Sequence, residues 1–329
     1  MDKIVISGAT GAIGMALAHC ALERQMQVLV ICHRNSKRMK RLPKSENLHI
    51  LKLNIEEYSD FVNNKKDELV LLGKYDYFFH LAWQGTSGTD RNDMNLQLRN
   101  VGSTLDAVEL AAALGCKCFV GAGSQAEYGR VEGMISSKTP TFPENGYGIA
   151  KLCAGQMSRI RCEQLHIKHV WTRILSVYGP GDGEKTLIMS AVNGFLNHEN
   201  TEFTEGMQKW DYIYNMDAAR ALLGMAKWGR DGHVYCVGSG KIQLLKEYIH
   251  QIYIMVNGQD VSDEQLGIGK RPYMDKQVMY LRADTTEWPE GLQEEFAQKS
   301  MCSFDEGIQY TIDWVKSTRE VEKWEKEKS

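Results

Sequence analysis

The sequence predicts an α/β fold, a doubly wound parallel sheet with a smaller C-terminal α/β part. Three observations predict it. The chain opens on an apolar run, Ile4-Val5-Ile6, which passes through Gly8, Gly11 and Gly14 into a helical segment, Met15–Arg24. Short apolar runs then alternate with amphipathic segments, the pattern of a parallel sheet covered on both faces. The length of 329 residues, 43% hydrophobic and 25% charged, suits a large core with a second part attached. We expect residues 1–175 to form the dinucleotide-binding part, with 211–237 returning to it. Residues 176–210 and 238–329 are expected to form the substrate-binding part.

A strand that turns through glycines into a helix gathers unpaired N–H groups and the positive end of the helix dipole at one place, which favours a pyrophosphate. Gly8 is expected to make the tight turn, Gly11 to let a cofactor approach the backbone, and Gly14 to let helix and strand pack closely. Thr10, Ala12 and Ile13 share that turn. The spacing is GxxGxxG, and its place directly after a buried strand is the context that dinucleotide binding requires.

The second strand is Gln27–Cys32. An acidic residue at its end would hold the ribose hydroxyls of NAD. This chain has His33-Arg34-Asn35-Ser36-Lys37-Arg38 there, without a carboxylate. Arg34 is placed to hold a 2′-phosphate, helped by Ser36 and by Lys37 or Arg38, so NADP is favoured over NAD. Leu48–Leu53 is the third strand, ending at Asn54 and Ile55, where an adenine would lie. Tyr77–Ala82 is the fourth, with Leu81, Ala82 and Trp83 reaching the cofactor region. Trp83 is either a wall of the pocket or a lid over the core, and His80 reads as a core histidine. A helix follows through Leu105, Val108, Leu110, Ala111 and Leu114. Cys116–Gly123 is the fifth strand and His169–Ile174 the sixth, with Ile174 at its cofactor end.

Ser124 follows the fifth strand, where ligands bind in an open α/β sheet. Tyr147 and Lys151 lie four apart at the start of a helix, so they share one face. A phenol is a poor base at neutral pH, and a nearby ammonium favours the phenolate. Tyr147 can then pass a proton to or from a substrate oxygen while hydride moves to or from a nicotinamide. Ser124 would orient the same oxygen, and Lys151 can also bind the nicotinamide ribose.

The formal charge of -3 and the lack of a long basic block give no sign of a nucleic-acid partner, although Asn35–Arg41 is locally basic. The chain enters a strand at once, leaving no room for a signal peptide, and no apolar run approaches the ~20 residues that span a bilayer. A cytoplasmic protein without a membrane partner is expected. The eight cysteines contain no CxxC pair and are expected to be buried, reduced thiols, with no metal site. Ser317–Lys328 reads as a charged helical tail.

Taken together, Gly8–Gly14, His80-Leu-Ala82, Asn100–Thr104, Ser124–Gly129, Tyr147 with Lys151, Arg173–Pro180, Asp211–Asp217 and Phe304–Trp314 resemble the short-chain dehydrogenase/reductase superfamily. Length and downstream motifs resemble its extended branch, the NAD-dependent epimerase/dehydratase family, which acts mainly on nucleotide sugars. The resemblance implies a Rossmann-type fold, a nucleotide-sugar substrate and a homodimer paired through the helix of Leu105 and the helix of Tyr147. The family's 4,6-dehydratases carry Thr-Asp-Glu where this chain has Ser124-Gln125-Ala126. Gln125 cannot act as an acid, nor Ala126 as a base, so dehydration is set aside. Both remain candidates for substrate contact, as does Trp83.

In the run that resembles R-x-x-N-V-Y-G-P, Ser176 replaces an asparagine that often contacts the nucleotide sugar. Thr186 and Leu187 begin a helix expected to cover the nucleotide. Gly206–Asp217 resembles G-x-Q-x-R-D-F-I-x-V-x-D, with Trp210 in place of an arginine that commonly binds the diphosphate. Lys209 or Arg271 can supply that charge, and Trp210 either stacks on a ring or packs the interdomain seam. The leading expectation is an NADP-dependent reductase of a 4-keto nucleotide sugar, possibly 6-deoxy. An NAD-retaining 4-epimerase is the near alternative, and a non-catalytic dinucleotide-binding module is the alternative of a different class.

Overall fold

A computed structural model describes residues 1–273 and 278–327. Seven parallel strands form the central sheet. They are β1 (Lys3–Ser7), β2 (Gln27–Cys32), β3 (Leu48–Lys52), β4 (Tyr77–His80), β5 (Cys118–Ser124), β6 (Lys168–Ile174) and β7 (His233–Val237), in the order β7-β6-β5-β4-β1-β2-β3. The chain winds outward from β1 through β2 to β3, then returns to β4 on the other side of β1. That reversal opens a crevice at the C-terminal ends of β1 and β4, the usual ligand site of such sheets.

Both faces of the inner strands are covered, which is why their sequences are nearly continuous apolar runs. Ile4 and Ile6 face a core shared with α1 (Ala12–Glu23) and α5 (Asn215–Trp228). Val5 faces the opposite core, with Leu29, Phe78 and Phe119 and residues of α2 (Met94–Ala113) and of the helix Tyr58–Asn64. Helix α3 (Gly146–Gln164) packs beside α2. Edge strand β3 is half-exposed, as an edge without a covering layer allows.

A third core lies in the C-terminal lobe. It joins α4 (Leu187–Leu196), α6 (Leu245–Asn257) and α7 (Phe304–Glu327) through Ile188, Val192, Ile249, Ile252, Ile308 and Ile312. Ser176–Tyr178 pairs in parallel with Tyr212–Tyr214. A four-stranded sheet combines Gln243–Leu244, Lys209–Trp210, Tyr280–Ala283 and Met134–Ile135.

Several boundaries move from expectation. Helix α1 starts at Ala12 rather than Met15, because Gly11 caps it directly and its carbonyl accepts Met15 N–H at 2.9 Å. β5 starts at Cys118 and ends on Ser124 itself. Cys116 N–H is taken by Ala111 O, which closes the turn out of α2. The thiols do not all fit the expectation of burial. Cys153 is exposed on the outer face of α3 and Cys302 is half-exposed, whereas the other six are buried. Of the charged tail, Lys328 lies outside the described residues. Among the described residues, no helix is long and apolar enough to cross a membrane.

Candidate active site

Gly8 and Gly14 take the structural parts expected of them. Gly8 has φ +78°, and a Cβ there would lie 2.6 Å from Ala82 N. Its lack of a side chain lets β1 and the segment after β4 meet at the switch point. A Cβ on Gly14 would lie 2.5 Å from Gly8 O, so this glycine seats α1 on the strand. Gly11 is different. A Cβ there meets only Gly8 O, at 3.5 Å, and its φ is -81°. Nothing within the chain requires glycine at 11, and the space beside it is open. Ala12 and Ile13 open α1, which has neither an acidic residue in its first turn nor a side-chain cap. Its N-terminal end suits an anion, and the cradle fits a dinucleotide pyrophosphate.

A cleft of about 390 Å³ opens beside this turn. Its walls bring together Gly8, Thr10, Gly11, His33, Arg38, Ile55, Leu81, Ala82 and Trp83 from the expected residues, and add Leu53, Tyr58 and Gln84. Arg34 is not on those walls. Its Nε donates to Glu57 at 3.0 and 3.2 Å, and its N–H donates to Asn54 Oδ1 at 3.0 Å. Arg34 is thus paired with the Glu57 carboxylate on the exposed side of the loop. Ser36 donates to Thr10 Oγ1 at 3.3 Å, and Lys37 is exposed off the cleft. Arg38 is the arginine of this loop that reaches the cleft wall. Sequence reading missed Glu57 because the pairing crosses 23 positions.

Ser124, Tyr147 and Lys151 converge at the C-terminal end of β5. Ser124 ends the strand in register with Ile174 of β6, and Tyr147 and Lys151 lie in the first two turns of α3. Asn145 caps that helix by accepting Gly148 N–H at 2.8 Å. Lys151 Nζ donates to Ala122 O at 2.6 Å and lies 3.7 Å from the centre of the Trp83 ring. Burial pulls the lysine down to about 7, against a smaller upward pull from Glu127. Trp83 meets Tyr147 edge-on at 6.1 Å and donates Nε1–H to Gln97 Oε1 at 2.9 Å. It is a wall of the cleft.

Tyr147 departs from expectation in its charge. Burial raises the pKa of the phenol, the Ser124 hydroxyl and Arg91 oppose that rise, and Glu127 adds to it. Lys151 was expected to be the lowering cation, but it is turned toward Ala122 and Trp83. His80 is a core residue as read. It bridges Ser7 Oγ (2.9 Å) and Thr104 Oγ1 (3.2 Å), and burial brings it down to about 3.

Glu127 is a feature that the sequence did not single out. It is fully buried, and its carboxylate accepts Ser124 N–H at 2.8 Å, Trp171 Nε1–H at 3.0 Å and Arg173 Nε–H at 2.7 Å. Three donors from β5 and β6 hold that carboxylate among buried residues. Ala126 is buried and Gln125 half-exposed in the same turn.

On the substrate side, Trp210 Nε1–H donates to Ser176 Oγ at 2.8 Å. The two residues that replace the family's arginine and asparagine thus bind each other. Strand neighbours face opposite sides, so exposed Lys209 points away from Trp210. Arg271 is exposed, with its N–H on Phe203 O at 3.0 Å. Thr186 caps α4, accepting Met189 N–H at 3.4 Å and donating to Asp182 Oδ2 at 2.8 Å. Leu187 packs against the third core.

The model of the NAD-dependent epimerase/dehydratase family matches residues 4–238. The chain belongs to that family. As a member, it has the Rossmann-type fold of the extended short-chain dehydrogenases and is an NAD(P)-dependent type of enzyme. CDP-abequose synthase of Salmonella muenchen is 24% identical over 292 residues, 86% of this chain and 89% of that protein. dTDP-6-deoxy-L-talose 4-dehydrogenase (NAD(+)) of Aggregatibacter actinomycetemcomitans is 32% identical over 151 residues, 45% of this chain and 51% of that one. UDP-N-acetylglucosamine 4-epimerase of Methanobrevibacter ruminantium M1, solved with UDP-N-acetylmuramic acid, superposes with a TM-score of 0.79 at 21% identity, covering 96% of this chain and 99% of that one.

Proposed function

We propose that this family member reduces a 4-keto nucleotide sugar, 6-deoxy in the simplest case, with Tyr147 as proton donor. The observation that carries the reading is the Ser124–Tyr147–Lys151 cluster beside a turn whose carboxylate is already used. Glu127 cannot serve the elimination of water, because three donors hold it beneath the sheet end. Redox chemistry at one carbon needs no such carboxylate. Tyr147 gives its proton to the carbonyl oxygen, Ser124 holds that oxygen in place, and Lys151 would bind the ribose hydroxyls of the cofactor. A bound reduced nicotinamide supplies the hydride. The relatives named for CDP-abequose and for a 6-deoxy sugar 4-dehydrogenase support this reading.

Gly8, Gly11, Ala12, Ile13 and Gly14 would hold the pyrophosphate, and Leu53, Ile55 and Tyr58 would flank the adenine. Arg38 replaces Arg34 as the residue we assign to a 2′-phosphate, which makes NADP the preferred cofactor. The neutralised Arg34 supports a second reading, an NAD-retaining 4-epimerase, which the fold of the UDP-N-acetylglucosamine 4-epimerase accompanies. Ser176, Trp210, Gln125, Ala126, Thr186, Leu187 and Arg271 are assigned to the nucleotide sugar, within a substrate part of residues 176–210 and 238–329. Ile149, Cys153, Met157 and Ile160 form an exposed stripe at helical spacing on α3, with Met94 and Leu98 exposed on α2. Those two helices are proposed to pair in a homodimer.

Incubating the protein with CDP-, dTDP- and UDP-linked 4-keto-6-deoxy sugars and NADPH or NADH tests the reading. Loss of reduced-nicotinamide absorbance on one sugar is expected. Tyr147→Phe should lower that rate by at least ~100-fold while cofactor binding persists. An undiminished rate would remove Tyr147 from proton transfer.

A further inference from the structure

Arg91 lies on the short turn Gly88–Asn92 between β4 and α2, outside every motif described above. Its guanidinium carbon is 4.4 Å from the centre of the Tyr147 ring. The contact is built rather than incidental. Arg91 Nη1 donates to Thr86 O at 3.1 Å. Asn92 Oδ1 accepts Gly146 N–H at 2.9 Å, which ties the turn to the first residue of α3. A Cβ on Gly146 would lie 2.9 Å from Arg91 O, so glycine at 146 lets the turn close against the helix that carries Tyr147. Lys151 is aimed elsewhere, with Nζ on Ala122 O and 5.8 Å from the centre of the Tyr147 ring.

We propose that Arg91 is the positioning residue that fixes the Tyr147 ring and stabilises the phenolate left when its proton departs. The importance of this for turnover rests on the reading of Tyr147 as proton donor; the contact itself does not. A cation over an aromatic face is drawn to the ring's electron density, and that density grows when the phenol loses its proton. In the step, the Oη–H bond breaks and an O–H bond forms on the sugar oxygen. The negative charge stays on the tyrosine until solvent returns a proton. The groups facing the phenol divide accordingly. The Ser124 hydroxyl from β5 and Arg91 from the turn favour the phenolate, and Glu127 from the turn after β5 opposes it. Lys151, on Tyr147's own helix, donates to Ala122 O, and its Nζ lies farther from the ring than the Arg91 guanidinium does.

Phenolate absorbance during a pH titration of the intact protein tests the proposal. The wild type minus Tyr147→Phe isolates the Tyr147 signal, and Arg91→Gln minus its own Tyr147→Phe partner gives the matching curve. The Arg91→Gln midpoint should rise by about one pH unit, the lower end of what an adjacent cation contributes. Arg91→Lys should fall between the two. An unmoved midpoint in folded Arg91→Gln would overturn the proposal. Arg91→Met takes the place of Arg91→Gln, with the same expected and overturning results, should the glutamine variant not fold. No substrate enters the titration. Its failure would leave the reductase reading standing, and failure to turn over any 4-keto sugar would leave the titration result intact.

Discussion

The glycine cradle and the residues proposed for the substrate are made of different materials. The cradle is backbone. Gly8 admits Ala82, Gly14 admits Gly8, and Gly11 is left open to the outside. The substrate side is made of side chains, with Ser176 bound to Trp210, Thr186 capping α4 and Arg271 exposed. A backbone site tolerates one residue type at each close approach, whereas a side-chain site can be rebuilt by paired replacements. Ser176 and Trp210 form such a pair in this chain.

The largest effect should come from the cradle. Gly8→Val combines a positive φ with a collision against Ala82 backbone. It should cost about 3 kcal/mol or more, read as loss of the folded protein in denaturant melts. Gly11→Ala should cost no more than about 1 kcal/mol of stability, the loss of a favourable N-cap residue without a steric conflict. Its dinucleotide affinity should nonetheless fall by about tenfold or more if the open space is where a cofactor approaches the backbone. Equal stability and equal affinity would remove the distinction drawn between the three glycines.

Next in size is the loop after β2. Arg38→Ala should weaken NADP by about tenfold relative to NAD, the worth of one charge-assisted contact. Arg34→Ala should do less, since Glu57 already holds that guanidinium. The reverse ranking in calorimetric titrations would return the phosphate to Arg34. On the substrate side, Trp210→Phe removes one hydrogen bond to Ser176, worth about 1 kcal/mol, and should raise KM for the sugar a few-fold with little change in kcat. No change in KM would move Trp210 out of the substrate site.

The smallest effect belongs to the surface of the C-terminal lobe. His250 lies 2.7 Å from both Asp260 and Asp263. Partial burial pulls its pKa down, but the two carboxylates outweigh that and hold it above the ordinary value. A raised folded-state value means the stabilisation is complete below about 6.5 and fades as pH rises through the folded value. His250→Gln should therefore lose up to about 1 kcal/mol at pH 5.5, less at pH 9. A pH-independent loss would discard the ion pairs as its source.

The same contrast explains what could be read without coordinates. The apolar runs of β1, β2, β4 and β5 and the glycine turn were legible because local chemistry determines them. So was the Tyr147–Lys151 spacing, which one helix face imposes. Arg34 looked free because the carboxylate that neutralises it, Glu57, comes from beyond β3. Lys151 looked like the cation for Tyr147 because spacing places the two on one face. It says nothing of Ala122 O, which captures the ammonium. Arg91 carried no signal at all, since its contact with Tyr147 depends on how one short turn closes against Gly146. Glu127 sat in plain view three residues after Ser124, and only its burial with Arg173 and Trp171 shows that it is structural.

The central claim is that the Ser124–Tyr147–Lys151 cluster performs net reduction. The most direct measurement is the stoichiometry of reduced nicotinamide consumed per 4-keto nucleotide sugar converted, with the oxidation state of the protein-bound cofactor read before and after. The account predicts one reduced cofactor consumed per sugar, and cofactor that exchanges freely with solution. Interconversion of two hydroxyl epimers with no net consumption, on a protein that retains tightly bound NAD, would contradict it.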